Sequence, residues 1–369
     1  MGETAKHKQL TEFLRTGIAE GAYAPGERIP SENDLSRTLH VSRQTVRQAI
    51  GTLENEGLLT RVRGSGTFVR SQSTRRRITT HRIGVIITYL DDYVFPSIVQ
   101  GIESVLSANG YALTLGITYN KVENERKALR QILETDVDGL IIEGTKSALP
   151  NPNRSLYEQL QREQMPFLFI NGYYEKIGGG YVVMDDRQAG SAICRELVRN
   201  SHTEIGGIFK SDDMQGHKRY QGFVAEMNRN GLVVRDDHVI WYTTEDLPYL
   251  FGGDMAGVLL RRLESVTGVV CYNDQIAVRL RELLRRAGKT VPEDYSLVSV
   301  DNSPLASLPA YALTSFEYPA FAVGEQAAQG LLRLLRGQAQ HIHTRLPGRL
   351  EVRGSVRAAL ADRPDPSKK

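Results

Sequence analysis

"HVSRQTVRQAIGTLENEGLLTRVRGSGTFVR", His40 to Arg70, decides how the first part of this 369-residue chain folds. Val46, Ala49, Ile50 and Leu53 recur with the period of one helical face, so a helix runs through the middle of the stretch. Ser42 stands just before it as a cap, its hydroxyl placed to accept a backbone N–H of the first turn. After Gly57, "LLTRVR" and "TFVR" read as two short strands joined at Gly64 to Gly66. Once the apolar face of the helix is turned inward, Arg43, Gln44 and Arg47 point outward near its N-terminal end.

Working upstream, Leu10, Phe13, Leu14 and Ile18 mark a first helix, and Leu35 and Leu39 a shorter second one. "SEND", Ser31 to Asp34, is a capping box that starts this second helix. Only "HVS" separates the second helix from the third, which leaves room for a sharp turn. Three helices, a tight turn and a hairpin make a winged helix-turn-helix. Its third helix suits the major groove, where guanidinium groups bridge guanine O6 and N7 or clamp phosphates and Gln44 can read adenine. The small Gly64–Ser65–Gly66 tip allows close backbone approach to DNA, with Arg61 and Arg63 flanking it.

Charge agrees with this reading. The whole chain carries a formal +3, but residues 1–80 hold thirteen Lys and Arg against eight Asp and Glu, and the remainder is slightly acidic. An electropositive head on a near-neutral body points to a polyanionic partner for the head. A single exposed arginine usually does no more than solvate a helix face. The turn, the wing and the local surplus together argue for DNA.

Residues 71–81, "SQSTRRRITTH", have no apolar period and read as a linker. From Arg82 onward, short apolar runs alternate with helical stripes: "IGVII", "YALTLGI", "DGLIIEG", "MPFLFI", "YVVM", "IGGIF", "TGVVCY" and "YSLVSV", each bounded by Gly, Pro, Asn or Asp. Near-continuous apolar strands separated by helices imply parallel sheets covered on both faces. About ten strands exceed what one doubly wound sheet usually holds, so the fold class is α/β, with the winged head followed by two α/β lobes. Ligands in such sheets bind beyond the carboxyl ends of the strands.

Several classes are excluded or given little to rest on. No apolar run reaches the roughly 18 residues of a membrane span, and "MGETAKHKQLTEFL" is too charged for a signal peptide, so a cytoplasmic protein is expected. Cys194 and Cys271 are far apart and without metal-site spacing, which makes them buried small hydrophobes. There is no phosphate loop, nucleophile elbow or H-E-x-x-H pair, so no enzyme, cofactor or metal is expected. His341 and His343 alternate on a late strand without a third ligand and read as surface histidines; Gly178–Gly180 reads as a loop.

The P-S-E, V-S-R-x-T-V-R-x-A and G-S-G-T-F-V segments of residues 4–70 resemble the winged helix-turn-helix of the GntR family of bacterial regulators. That resemblance implies operator contacts by Arg43, Thr45 and Arg47, entry of Gly64–Gly66 into the adjacent minor groove, and a DNA-facing place for Arg28, Ser31 and Asn33. Asn33 departs from the arginine common at its position, so its contact is a weaker phosphate bond or an amide-to-base bond. Residues 82 to about 357 resemble instead the LacI/GalR regulators and their periplasmic sugar-binding relatives, on "HRIGVII", "FPSIVQGIES", "DGLIIEG", "KRYQGF", "VVCYNDQIA", "YSLVSVDNSPLA" and "RLEVRGSVR". The pairing of these two parts is most similar to that of arabinose-responsive repressors.

The second resemblance implies a two-lobed, periplasmic-binding-protein-like body. Its first lobe takes about 82–183 and 312–342, and its second about 184–311 and 343–360. The hinge helix usual between head and body has no counterpart in the linker, so coupling uses another conformation there. A polyhydroxylated ligand needs carboxylates and amides plus an apolar wall. Asn171, Glu143, Asn273 and Asp301 end strands, Arg219 opens the helix of "KRYQGF", and the resemblance places an effector contact at each. Gln215, Tyr318 and Met184 follow from the same matching, and Tyr89 and Phe95 supply the wall. The expected function is a homodimeric repressor on a pseudo-palindromic operator, released by a small sugar, L-arabinose by the resemblance. The runner-up is a purine or other metabolite acting as corepressor, and a third reading is a body that only dimerises around an apolar, closed cleft.

Overall fold

Leu10, Leu14, Leu35, Val46, Ala49, Ile50 and Leu53 of the three helical stripes converge into one buried cluster, with Ile18 and Leu39 partly buried against it, whereas Phe13 of the first stripe is 52% exposed. The computed structural model describes residues 3–24, 26–56, 58–62, 65–69, 79–90 and 93–359. These form two units, 1–79 and 80–369. In the first, α1 (Glu3–Ala19), α2 (Glu32–Thr38) and α3 (Arg43–Asn55) are followed by the antiparallel strands β1 (Leu59–Val62) and β2 (Gly66–Val69). The caps form as expected. Ser31 Oγ accepts the Asp34 N–H at 3.3 Å and donates to the Asp34 carboxylate at 2.6 Å, and Ser42 Oγ accepts the Thr45 N–H at 3.1 Å. Each such cap contributes about 1 kcal/mol. Arg63, Gly64 and linker residues 71–78 lie outside the described residues.

The second unit holds two six-stranded sheets. In the first the order is β13 (His343–Leu346), β7 (Gly180–Met184), β6 (Phe167–Ile170), β5 (Gly139–Glu143), β3 (Arg82–Ile87), β4 (Ala112–Ile117), all parallel. In the second it is β14 (Leu350–Glu351), β12 (Thr314–Glu317), β11 (Ser296–Asp301), β10 (Gly268–Cys271), β8 (Ile205–Lys210), β9 (Val239–Tyr242), parallel except for β14. Helices α4 (Phe95–Ala108), α5 (Val122–Glu134), α6 (Arg154–Arg162) and α12 (Ala320–Leu335) pack on the first sheet or on one another. The second is accompanied by α7 (Asp186–Arg199), α8 (Met214–Arg229), α9 (Gly253–Arg262), α10 (Asp274–Arg286) and the short α11 (Pro304–Ser307). The two-lobed α/β architecture read from the sequence is what the chain forms.

The lobe boundaries need correction. Thr314–Glu317, expected in the first lobe, pairs with β11 of the second, so the chain recrosses only at Tyr318–Pro319. His343–Leu346, expected in the second lobe, pairs with β7 of the first. Both strands are short, four residues each, and three of the four residues of "HTRL" are polar, so neither betrays its sheet by apolar content. At the other end, the Thr80 and His81 N–H groups donate to the Asp138 carboxylate at 2.9 Å each, so the last linker residues belong to the body.

The two sheets share one strand order, and each reverses direction at one point: between β3 and β5 in the first, between β8 and β10 in the second. A crevice opens beyond the strand ends at such a reversal. Both reversal points lie on the same cavity.

Candidate functional site

At the first reversal, Glu143 ends β5 and Thr88 follows β3. The Glu143 carboxylate accepts the Thr88 N–H at 2.7 Å, the Thr88 hydroxyl at 2.6 Å and the Asn171 amide at 2.9 Å. Burial nonetheless pushes Glu143 up to about 7, against those donors and nearby Lys210. Asn171, just after β6, sits at φ 60° and accepts a hydrogen bond from the Tyr318 hydroxyl through its own Oδ1. Its amide is thereby fixed at both ends.

At the second reversal stands Lys210, the last residue of β8. Its ammonium lies 3.0 Å from Asp213 and 3.3 Å from Asp212. Burial alone would lower its pKa, but the two carboxylates outweigh burial and hold it above the ordinary lysine value. Tyr272, after β10, donates to Asp213 at 2.8 Å. Arg219 spans the remaining strand ends: Nε donates to Asp186 at 2.9 Å, Nη1 to the Tyr272 carbonyl at 2.6 Å, and Nη2 lies 3.8 Å from Asp301. Its guanidinium also stands 4.6 Å from the centre of the Tyr272 ring. Arg219 does not open its helix as the sequence suggests: α8 starts at Met214, and Arg219 occupies the second turn. It reaches the cleft because α7 and α8 touch backbone to backbone. A Cβ on Gly190 would fall 2.0 Å from the Arg219 carbonyl, and one on Gly222 2.1 Å from that of Arg187.

Between these ends lies a cavity of about 280 Å³, near the small end for ligand sites. The structure brings Tyr89, Phe95, Glu143, Asn171, Gln215, Arg219, Asn273, Asp301 and Tyr318 together on its lining. Asp301 holds a strained φ of 113° and accepts the Tyr93 hydroxyl at 2.7 Å. Asn273 also caps α10, accepting the Ile276 N–H at 3.1 Å, so its ordinary structural use and its place on the lining coexist. Tyr89 and Phe95 form a wall with ring centres 6.2 Å apart and planes at 56°. Met184 is the correction. As the last residue of β7 its side chain turns into the core with Val182 and Ile170 and is 2% exposed, because neighbouring strand residues face opposite sides.

Sequence reasoning missed Thr88, Asn120, Lys210, Asp213, Thr244 and Tyr272, which also line the cavity. Thr88, Lys210 and Tyr272 stand at or just beyond the ends of apolar strands, so the rule that found Glu143 would have found them too. Asn120 and Thr244 carry no such signal, because each lies in an irregular loop. Among the described residues, the polar links that bridge the lobes around the site include Tyr93–Asp301, Asn120–Thr244 at 2.6 Å, Asn120–Asp212 at 3.4 Å, Lys146–Asp212 at 3.1 Å, Lys146–Glu245 at 2.7 Å, and the Met214 N–H to Ser147 Oγ at 2.9 Å. The polar lining is the opposite of the apolar cleft expected for a body that only dimerises.

In the head, Arg43, Gln44 and Arg47 are exposed at the start of α3. Thr45 is not: it is 2% exposed, and its hydroxyl bonds to Ser42 at 2.7 Å, so it closes the cap rather than facing outward. Arg47 and Arg61 both reach Glu32, each at 3.2 Å. Glu32 therefore ties the outward helix face to the wing, a role the capping-box reading of its neighbours does not bring out. Arg28 and Asn33 are exposed, while Ser31 is half-buried as the α2 cap. Ser65 is exposed at the hairpin tip, and Gly66 has φ 123° with the Arg28 guanidinium so close that a Cβ would meet it at 2.5 Å.

Two family models match the chain: "Bacterial regulatory proteins, gntR family" over residues 6–69, and "Periplasmic binding protein-like domain" over 194–356. An arabinose metabolism transcriptional repressor of Halalkalibacterium halodurans is 38% identical over 88% of this chain and 88% of its own length. Another, from Geobacillus stearothermophilus, is 37% identical over 89% and 91%. Among solved structures, a LacI family transcriptional regulator from Enterococcus faecium with bound ribose is 25% identical, with a TM-score of 0.62, over 76% of this chain and all of that one. No helix among the described residues is long and apolar enough to cross a membrane. With a gntR-type head and a periplasmic binding protein-like body in one chain, the protein belongs to the family of the arabinose metabolism transcriptional repressors.

Proposed function

We propose that the protein is a homodimeric repressor that binds a pseudo-palindromic operator through its winged heads in the cytoplasm and is released from it when L-arabinose enters the interlobe cavity. The observation that carries this reading is the convergence of Glu143, Asn171, Arg219, Asn273 and Asp301 on a cavity of about 280 Å³ walled by Tyr89 and Phe95. Carboxylates and amides at that density match a ring of hydroxyls, and the wall takes its C–H face. A purine would favour two parallel rings, one on each of its faces; the 56° between Tyr89 and Phe95 does not offer them. Arg43, Gln44 and Arg47 read the major groove, while Arg28, Arg61 and Arg63 hold the backbone and the wing tip, Gly64–Gly66, enters the adjacent minor groove.

The ligand acts by favouring one arrangement of the lobes over another, and a coupling of about 1 to 3 kcal/mol gives a 5- to 150-fold change in operator affinity. The test is a thermal-shift panel of pentoses, hexoses and purines, followed by operator titration with each hit. A ligand at about 100 times its dissociation constant adds roughly 2.7 kcal/mol to stability. L-Arabinose should stabilise the protein and weaken operator binding. Stabilisation by a purine with tighter operator binding would overturn the reading, as would a response to no sugar.

A further inference from the structure

A second cavity, of about 510 Å³, also lies between the lobes but shares no lining residue with the first. The first turn of α8 separates the two: Met214 lines the second cavity and Gln215 the first. Arg154 and Lys176 line it from the first lobe, His217 and Lys218 from the second, and Glu175 is the one carboxylate among its lining residues. Arg154 is answered by Glu158 at 2.8 Å. Among the described residues no carboxylate forms an ion pair with Lys176 or Lys218.

Lys176, exposed, and Lys218, half-buried, bring positive charge to this groove from its two lobes, and like charges brought closer by approach of the lobes repel, weakly at such exposure. An anion between them reverses the sign of that interaction. Phosphate oxygens suit the purpose, since they accept charge-assisted bonds from lysine and arginine at once. The first cavity is unlike this: its cations, Lys210 and Arg219, are each already matched by two carboxylates.

We propose that this groove is a second effector site for a small free phosphorylated metabolite, whose binding draws the lobes together and tightens the hold on the ligand of the first cavity. The site itself stands on the groove alone; only its coupling rests on the sugar reading of the first cavity.

The test is calorimetric titration of the full chain with sodium pyrophosphate at constant ionic strength, in the wild type and in the double variant Lys176→Gln, Lys218→Gln. Saturable binding is expected in the wild type, weakened about tenfold in the variant as two partly screened charge contacts are lost. Absence of saturable binding, or equal affinity in both proteins, overturns the site, the latter by pointing to the basic head instead. Pyrophosphate should also tighten L-arabinose binding several-fold in the wild type alone, and no change there overturns the coupling. A chain that binds pyrophosphate through the two lysines but no L-arabinose would refute the sugar reading and leave the anion site standing.

Discussion

Lys146 of the first lobe holds Asp212 of the second across the cleft at 3.1 Å, with the Asp212 side chain only 1% exposed. Breaking a buried pair by removing one partner can cost about 3 to 5 kcal/mol. Lys210, 3.3 Å from the same carboxylate, keeps it compensated, so the loss at this link is smaller. Lys146→Ala should destabilise the body by about 1 to 2 kcal/mol and weaken effector binding, since the link also fastens one lobe to the other. Thermal unfolding with and without L-arabinose checks both, and unchanged values would show that the link is incidental.

Asp301 stands opposite Arg219 and accepts from Tyr93, at a φ where asparagine is better tolerated than alanine. Asp301→Asn therefore tests the charge without adding backbone strain. Effector affinity should fall at least about tenfold, with operator binding retained. A variant still released by sugar at wild-type concentrations would remove Asp301 from the site.

Glu143 ionises in the unfolded chain near 4.5 but in the fold only near 7, because burial disfavours its charge. Its contribution to stability is complete below about 4.5 and is lost as the pH rises through about 7, by at most about 1.4 kcal/mol per pH unit. Glu143→Gln has no such dependence at this position. Relative to that variant, the wild type should lose stability between about pH 5 and 7 and then level off in denaturant titrations. A wild type that gained on the variant over that range would contradict a raised carboxyl.

Arg47 is 67% exposed at its side chain, and Glu32 is its ion-pair partner among the described residues, so its loss leaves the head's core intact. Arg47→Ala should weaken operator binding by about 1 to 3 kcal/mol and flatten the salt dependence of binding by about one unit of slope if the contact is to phosphate. Fluorescence anisotropy across a salt series measures both. Operator affinity equal to the wild type would exclude Arg47 from the interface.

The parts of the fold with strong period were legible in the sequence. The stripe Val46–Ala49–Ile50–Leu53 and strands such as "IGVII" form where the pattern puts them, because apolar spacing alone sets the buried face. Thr314–Glu317 and His343–Leu346 fall in the opposite lobes from those expected because strand pairing is settled by distant partners, which four mixed residues do not announce. In the site, strand ends led to Glu143, Asn171 and Asp301, but one residue of phase put Met184 in the core. Asn120 was invisible because a loop at φ 53° places it, and no local pattern encodes that.

Among the described residues the polypeptide passes between the lobes three times, after β7, after β12 and after β13, always beside the same border of each sheet. Bodies joined by one thread can swing freely, but three parallel straps along a common margin leave little besides a bookbinding motion about that margin. Whatever enters the crevice thus has a single mechanical coordinate to push on. A nick in the strap at 347–349 should loosen that restriction, leaving a receptor that grips its ligand while transmitting less of the motion.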